Sequence, residues 1–173
     1  MRKLDVFVIT ETWQVPGDHS CFENCVPAGY RVVCKPWKDG RGGGLAVIHK
    51  SSLDVETGLN IAASAYFECL PVKVTKNNKV FYFVAVYRTP SKSRRIFCDQ
   101  IRPVASCVAH LSTDTGSSAI FAGDFNIDYK EDSVCKVKLQ NTMTDNGFLQ
   151  VVEQPTCKGT LIDLIFGAVV KRS

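Results

Sequence analysis

Ala119-Ile120-Phe121-Ala122-Gly123-Asp124-Phe125-Asn126-Ile127 runs from four apolar residues, through a glycine, to an aspartate and an asparagine separated by one phenylalanine. A short apolar run bounded by turn residues reads as a buried strand. Asp and Asn just after it favour an Asx-type turn. The end of a strand also delivers a side chain rigidly to a sheet edge, where a site is readily built. The stretch thus admits a turn or a catalytic carboxylate with its amide, and the rest of the chain has to decide.

Three other segments have the same form. Val6-Phe7-Val8-Ile9 ends at Thr10-Glu11-Thr12-Trp13, the run 79–87 ends at Tyr87-Arg88-Thr89-Pro90, and Thr160-Leu161-Ile162-Asp163-Leu164-Ile165 sets a carboxylate within an apolar run. Further strands are expected at 30–34, 45–48, 66–74, 119–122 and 161–166, with Asn77-Asn78 as the hairpin turn between 66–74 and 79–87. Helices are expected at 94–111, kinked or shortened by Pro103, and at 133–146, with Gly147 where a C-terminal cap belongs. Strands in hairpins with a few intervening helices predict an α/β fold: two mainly antiparallel or mixed sheets packed face to face, helices outside. With 173 residues and no repeat or linker, one domain is expected.

Composition narrows the partners. Apolar residues at 45% and charged residues at 22% are ordinary for a globular chain. A net charge of +4 suits an anionic partner such as nucleic acid without demanding one. No stretch approaches the ~18 apolar residues of a membrane span, so no membrane is expected, and no partner protein is indicated. The run 6–9 is too short for a secretory signal, which points to an intracellular, reducing compartment and to eight free cysteines, mostly small core residues. His19, Cys21 and Cys25 lie close together but lack the paired spacing of a zinc site. Gly42-Gly43-Gly44 lacks the Gly-Lys-Ser/Thr ending of a phosphate loop and leads into a strand, so it reads as a tight turn. Arg88, Lys92, Arg94 and Arg95 read equally as a DNA-backbone track or as a solvated loop and helix start.

The strand ends together offer three carboxylates, one amide and one phenol. Magnesium binds typically through one or two carboxylates plus water and phosphate oxygens. A second carboxylate can orient the attacking water, while amide and phenol donors hold phosphate oxygens.

Thr10-Glu11-Thr12-Trp13, Arg41-Gly42-Gly43-Gly44, Phe67-Glu68, Val86-Tyr87-Arg88-Thr89-Pro90, Gly123-Asp124-Phe125-Asn126 and Thr160-Leu161-Ile162-Asp163 occur in an order that resembles the endonuclease/exonuclease/phosphatase superfamily. The likeness is strongest to the endonuclease domains of non-LTR retrotransposons. It implies a deoxyribonuclease-I-like four-layer sandwich that cuts DNA with Mg²⁺ (or Mn²⁺), in an intracellular, nuclear setting. By the same resemblance Glu11 is a metal ligand, Tyr87 contacts the scissile phosphate, Asp124 orients or activates water and Asn126 holds a phosphate oxygen. It also implies that Thr156 lies near the DNA cleft and that Asp163 orients a catalytic histidine; Arg88, from the basic cluster, is the further expected substrate-binding residue.

That histidine belongs to a Ser-Asp-His-like motif, which this sequence does not contain; His19, His49 and His110 lie in unrelated segments. An asparagine that the family carries upstream of the glutamate is likewise absent. The resemblance therefore implies a single domain over 1–173 that lacks a first strand and a C-terminal histidine strand, with weak or no activity. A non-catalytic nucleic-acid-binding remnant and a phosphoesterase on the same scaffold remain the alternatives.

Overall fold

The computed structural model describes residues 4–17, 20–37, 42–61 and 64–168, with nothing given for the side chains of Cys21 and Glu23. Arg41, His19, the side chain of Cys21 and the segment 169–173 lie outside the described residues.

Two sheets face each other. The smaller has the order β1 (Val6–Thr10), β3 (Leu45–Lys50), β2 (Tyr30–Lys35), all antiparallel. The larger runs β4 (Asp54–Glu56), β5 (Glu68–Lys76), β6 (Lys79–Tyr87), β7 (Ser118–Asp124), β9 (Asp163–Ala168), β8 (Phe148–Gln150). Every neighbour in it is antiparallel except β6 and β7, which are parallel. That pair needs a crossover, and α2 (Arg94–Asp114) supplies it.

Period-2 alternation sorts the strand residues into two cores. Leu45 and Val47 of β3 meet Leu70, Val72 and Val74 of β5 and Ala85 and Tyr87 of β6 between the sheets. The alternate residues Val84 and Val86, with Phe121, Leu164 and Phe166, face α2 and α3 (Val134–Asp145) through Phe97, Ile101, Val104, Leu139 and Met143. Both long helices therefore cover the six-stranded sheet; α1 (Ser20–Glu23) is a single turn.

Pro103 lies inside α2 without ending it, and the helix runs three residues past the expected end to Asp114. Proline leaves the carbonyl four residues back without its helical partner. Here Asp99 and Pro103 both lie on the exposed face, where that loss is tolerated. The last strand begins at Asp163 rather than at 161, because the amides of Leu161 and Ile162 bond the Asp128 carboxylate and the Thr156 hydroxyl instead of a neighbouring strand. The expectation that the cysteines are mostly core is corrected as well. Among the described side chains all are free, but only Cys69 and Cys98 are buried.

Candidate active site

Residues paired across adjacent strands project from the same face of a sheet. In the large sheet Glu68 pairs with Tyr87, Tyr87 with Asp124, and Asp124 with Asp163. Four polar side chains thus form one transverse row on the face turned toward the smaller sheet. With strands about 4.8 Å apart, every Cα of this row lies within roughly 10 Å of its middle.

Glu11 joins the row from the other sheet. It follows β1 directly with φ of +55°, a conformation uncommon for a side-chain-bearing residue. Its exposed carboxylate accepts a hydrogen bond from Tyr87 Oη, whose ring is buried. Burial first, and then the Glu11 carboxylate, push the Tyr87 hydroxyl well above its ordinary pKa, so the phenol stays protonated and serves as a donor.

The Gly43-Gly44 turn holds Glu11 in place. Thr12 N donates to Gly44 O at 3.2 Å and Trp13 N to Gly43 O at 2.9 Å. Gly44 N in turn donates to both oxygens of the buried Glu68 carboxylate, at 2.9 and 3.0 Å. Both glycines have positive φ, and a Cβ on Gly43 would sit 2.5 Å from Glu68 Oε1. Burial raises the Glu68 pKa, against the Gly44 amide and the Lys35 charge.

Asp124 and Asn126 share a tight turn. Phe125 between them plugs into the helix-side core, edge-on to Phe97 and Phe166 at ring separations of 6.0 and 5.4 Å. Asn126 N donates to Asp124 Oδ1 at 2.8 Å, which is the Asx geometry, so the turn and the candidate site coincide. Asn126 Nδ2 donates to Asp124 Oδ2 at 3.0 Å and to Arg88 O at 2.7 Å. Two acceptors for two amide hydrogens fix the amide orientation. Asn126 therefore orients Asp124, and to hold a phosphate oxygen it would have to redirect one of these bonds. Gly123, with φ of +145°, lets β7 approach β6 so closely that a Cβ there would collide with the Val86 carbonyl.

Arg88 is not on the charged surface expected of it. It is 1% exposed, and its guanidinium donates to Phe125 O (2.8 Å), Thr89 O (3.0 Å), Lys92 O (2.7 Å) and Asn126 O (2.6 Å). That correction has a simple cause: the planar fork of five donors matches a cluster of loop carbonyls. Arg88 clamps the turn that carries Asp124 and Asn126. Lys92, Arg94 and Arg95 are exposed, as both readings of them require. Thr156 is exposed beside the row, and its hydroxyl accepts from Asp163 N at 3.1 Å, pinning the entry to β9.

The structure therefore brings Glu11, Tyr87, Asp124, Asn126 and Asp163 together, with Arg88 and Thr156 beneath and beside them as supports. Glu68, quoted in the sequence without a role, is the residue that sequence reasoning missed. Neither described histidine reaches the row. His49 is buried in β3 with Nδ1 at Lys50 O, and His110 lies on α2 with Nδ1 at Ser106 O.

The Asp124 carboxyl is pushed up to about 6 from an ordinary 3.8, first by burial and then by the charges of Asp163 and Glu11, while the Asn126 amide and Arg88 oppose the shift. Between pH about 4 and 6 the folded chain then holds a proton that the unfolded chain has released, so this group's contribution to stability falls as pH rises through that window. A carbon-13 titration of the side-chain carboxyls should give Asp124 a midpoint near 6, and Asp124→Ala should flatten that limb of the stability curve. A midpoint near 3.8 would contradict the burial argument.

Exposed and half-buried carboxylates with an amide form an all-oxygen donor set, which fits a hard cation held by one or two carboxylates, water and phosphate. Among the described residues no group of three or more His, Cys, Asp or Glu side chains is placed to hold a metal ion by itself.

Among solved structures, the endonuclease domain of TRAS1, a telomere-specific non-LTR retrotransposon, superposes with a TM-score of 0.66 at 19% identity, over 94% of this chain and 71% of that one. The AP endonuclease LMAP from Leishmania major gives 0.72 at 15%, over 95% and 69%. The 3′-5′ exonuclease NExo from Neisseria meningitidis gives 0.66 at 16%, over 95% and 76%. No family model and no curated protein matches the sequence. At these identities the likeness is one of fold, a DNase I-like α/β sandwich shared with these structures.

Proposed function

Taking that shared fold as the premise, we propose that the chain is a nuclease-type domain of the retrotransposon endonuclease kind, which hydrolyses DNA phosphodiesters with Mg²⁺ or Mn²⁺ and works weakly in the 173-residue form. The observation that carries this reading is the transverse row Glu68–Tyr87–Asp124–Asp163 closed by Glu11. A divalent cation, when bound, would polarise the phosphate and stabilise charge on the leaving oxygen. Glu11 would hold it through the carboxylate that Tyr87 orients. Asp124, ionised above pH about 6, would accept the proton of the attacking water. Asn126 would redirect one amide hydrogen bond from Asp124 Oδ2 to a non-bridging phosphate oxygen, and Tyr87 would turn its single phenol hydrogen from Glu11 to the same group once the cation neutralises that carboxylate.

One observation favours a second reading, a binding remnant: among the described residues no histidine stands beside Asp163 to protonate the leaving oxygen. Long incubation with supercoiled plasmid separates the two. Slow nicking in Mg²⁺ or Mn²⁺, abolished by a chelator, supports the nuclease. Salt-sensitive DNA binding with no metal-dependent nicking supports the remnant. Release of phosphate from terminal phosphoesters with the plasmid intact supports the phosphoesterase alternative. On this reading the chain acts on DNA in the nucleus.

A further inference from the structure

A cleft of about 480 Å³ opens beside the row, on the Glu68 side, and the chemistry proposed above does not use it. Its lining includes Lys35, Trp37, Phe67, Glu68, Thr89 and Lys92. Its size falls within the range of sites that hold a small organic ligand. Three kinds of group meet there. Trp37 packs against the Gly43 backbone, so closely that a Cβ on Gly43 would lie 3.0 Å from the indole Cγ; its ring is therefore held by the same turn that places Glu11. Glu68 is a buried acceptor held by the Gly44 amide. Lys35, which spends one donor on Cys69 O at 2.8 Å, and the exposed Lys92 add positive charge at the rim.

An anion alone has no use for an aromatic wall or a carboxylate floor. A flat heterocycle with a ring or exocyclic N–H, carried on a phosphate, matches all three. We propose that the cleft is a nucleotide subsite. In this assignment an unpaired base adjoining the scissile phosphate stacks on Trp37, donates an N–H toward Glu68 and leaves its phosphate to Lys92. The polymer context rests on the phosphodiesterase reading, but the subsite itself does not.

The test uses the full chain in a chelator, so that no cleavage intervenes. Trp13→Phe leaves Trp37 as the sole indole, since the chain has two tryptophans. Single-stranded oligodeoxyadenylate is titrated against it, beside an oligomer of equal phosphate number whose residues are abasic. Stacking of one base predicts quenching of Trp37 and about 5- to 100-fold tighter binding of the base-bearing oligomer. In the chain with Trp13 retained, Trp37→Ala should erase that preference in fluorescence anisotropy of a labelled oligomer, whereas Trp37→Phe should keep much of it. Equal binding of the two oligomers, or a preference that survives Trp37→Ala, overturns the subsite. Should Trp37→Ala not fold, the Trp37→Phe comparison and the quenching titration still decide. A base preference without metal-dependent nicking sinks the nuclease reading and leaves the subsite; nicking without a base preference does the reverse.

Discussion

A chain extended by an N-terminal strand bearing an asparagine and a C-terminal strand bearing the histidine should nick supercoiled plasmid ~10²–10⁴-fold faster than the 173-residue chain, and Asp124→Ala should remove the whole gain. Such added strands would find an open edge and an exposed apolar face. Among the described residues β1 is paired along one edge only, with β3. On the face of the large sheet that carries Asp124 and Asp163, Ile165 and Leu149 stay 40% and 49% exposed. A strand added at the β1 edge would cover them and bring an imidazole toward Asp163. Groups that act as a set fail together, so single losses are worse than additive. Vigorous metal-dependent nicking by the short chain would show that the added groups are dispensable. An extended chain that folds but stays inactive would favour the remnant.

The second large effect is on stability. Arg88→Lys retains the charge but loses the fork, and a single ammonium cannot reach the carbonyls of Thr89, Lys92, Phe125 and Asn126 together. At least two buried acceptors should be left unpaired, each costing about 1–3 kcal/mol and more where the donor was charged. Urea unfolding should therefore show a loss of about 3–5 kcal/mol, a large part of a typical domain's stability. The Asp124–Asn126 turn should also loosen, and exchange of the Asn126 amide should accelerate. A surface role for Arg88 predicts a change below about 0.5 kcal/mol, as for surface substitutions away from special features.

Much of the row was legible before the structure. The two-residue turn at Asn77-Asn78, both at positive φ, fixes the β5–β6 register, and counting back from it places Glu68 opposite Tyr87. That arithmetic was available in the sequence, and Glu68 was missed because nothing local distinguishes it from a strand-start carboxylate. Asp124 and Glu11 were readable because buried strands end at them. The Arg88 clamp was not, since its acceptors are loop carbonyls up to 38 residues away and carry no side-chain signal. The strands β4 and β8, three residues each, were too short to show a period. The start of β9 was misplaced because Leu161 and Ile162 are apolar yet bond outside the sheet.

Backbone amide relaxation under trace Mn²⁺ tests the central claim, that Glu11 and the Asp124 turn share one cation site, without requiring turnover. The account predicts selective broadening centred on Glu11, Asp124, Asn126 and Asp163, lost in Glu11→Gln and unchanged in variants of the surface carboxylates Asp54 and Glu56. Broadening centred elsewhere, such as at Asp54 and Glu56, or a pattern unchanged by Glu11→Gln, would contradict it.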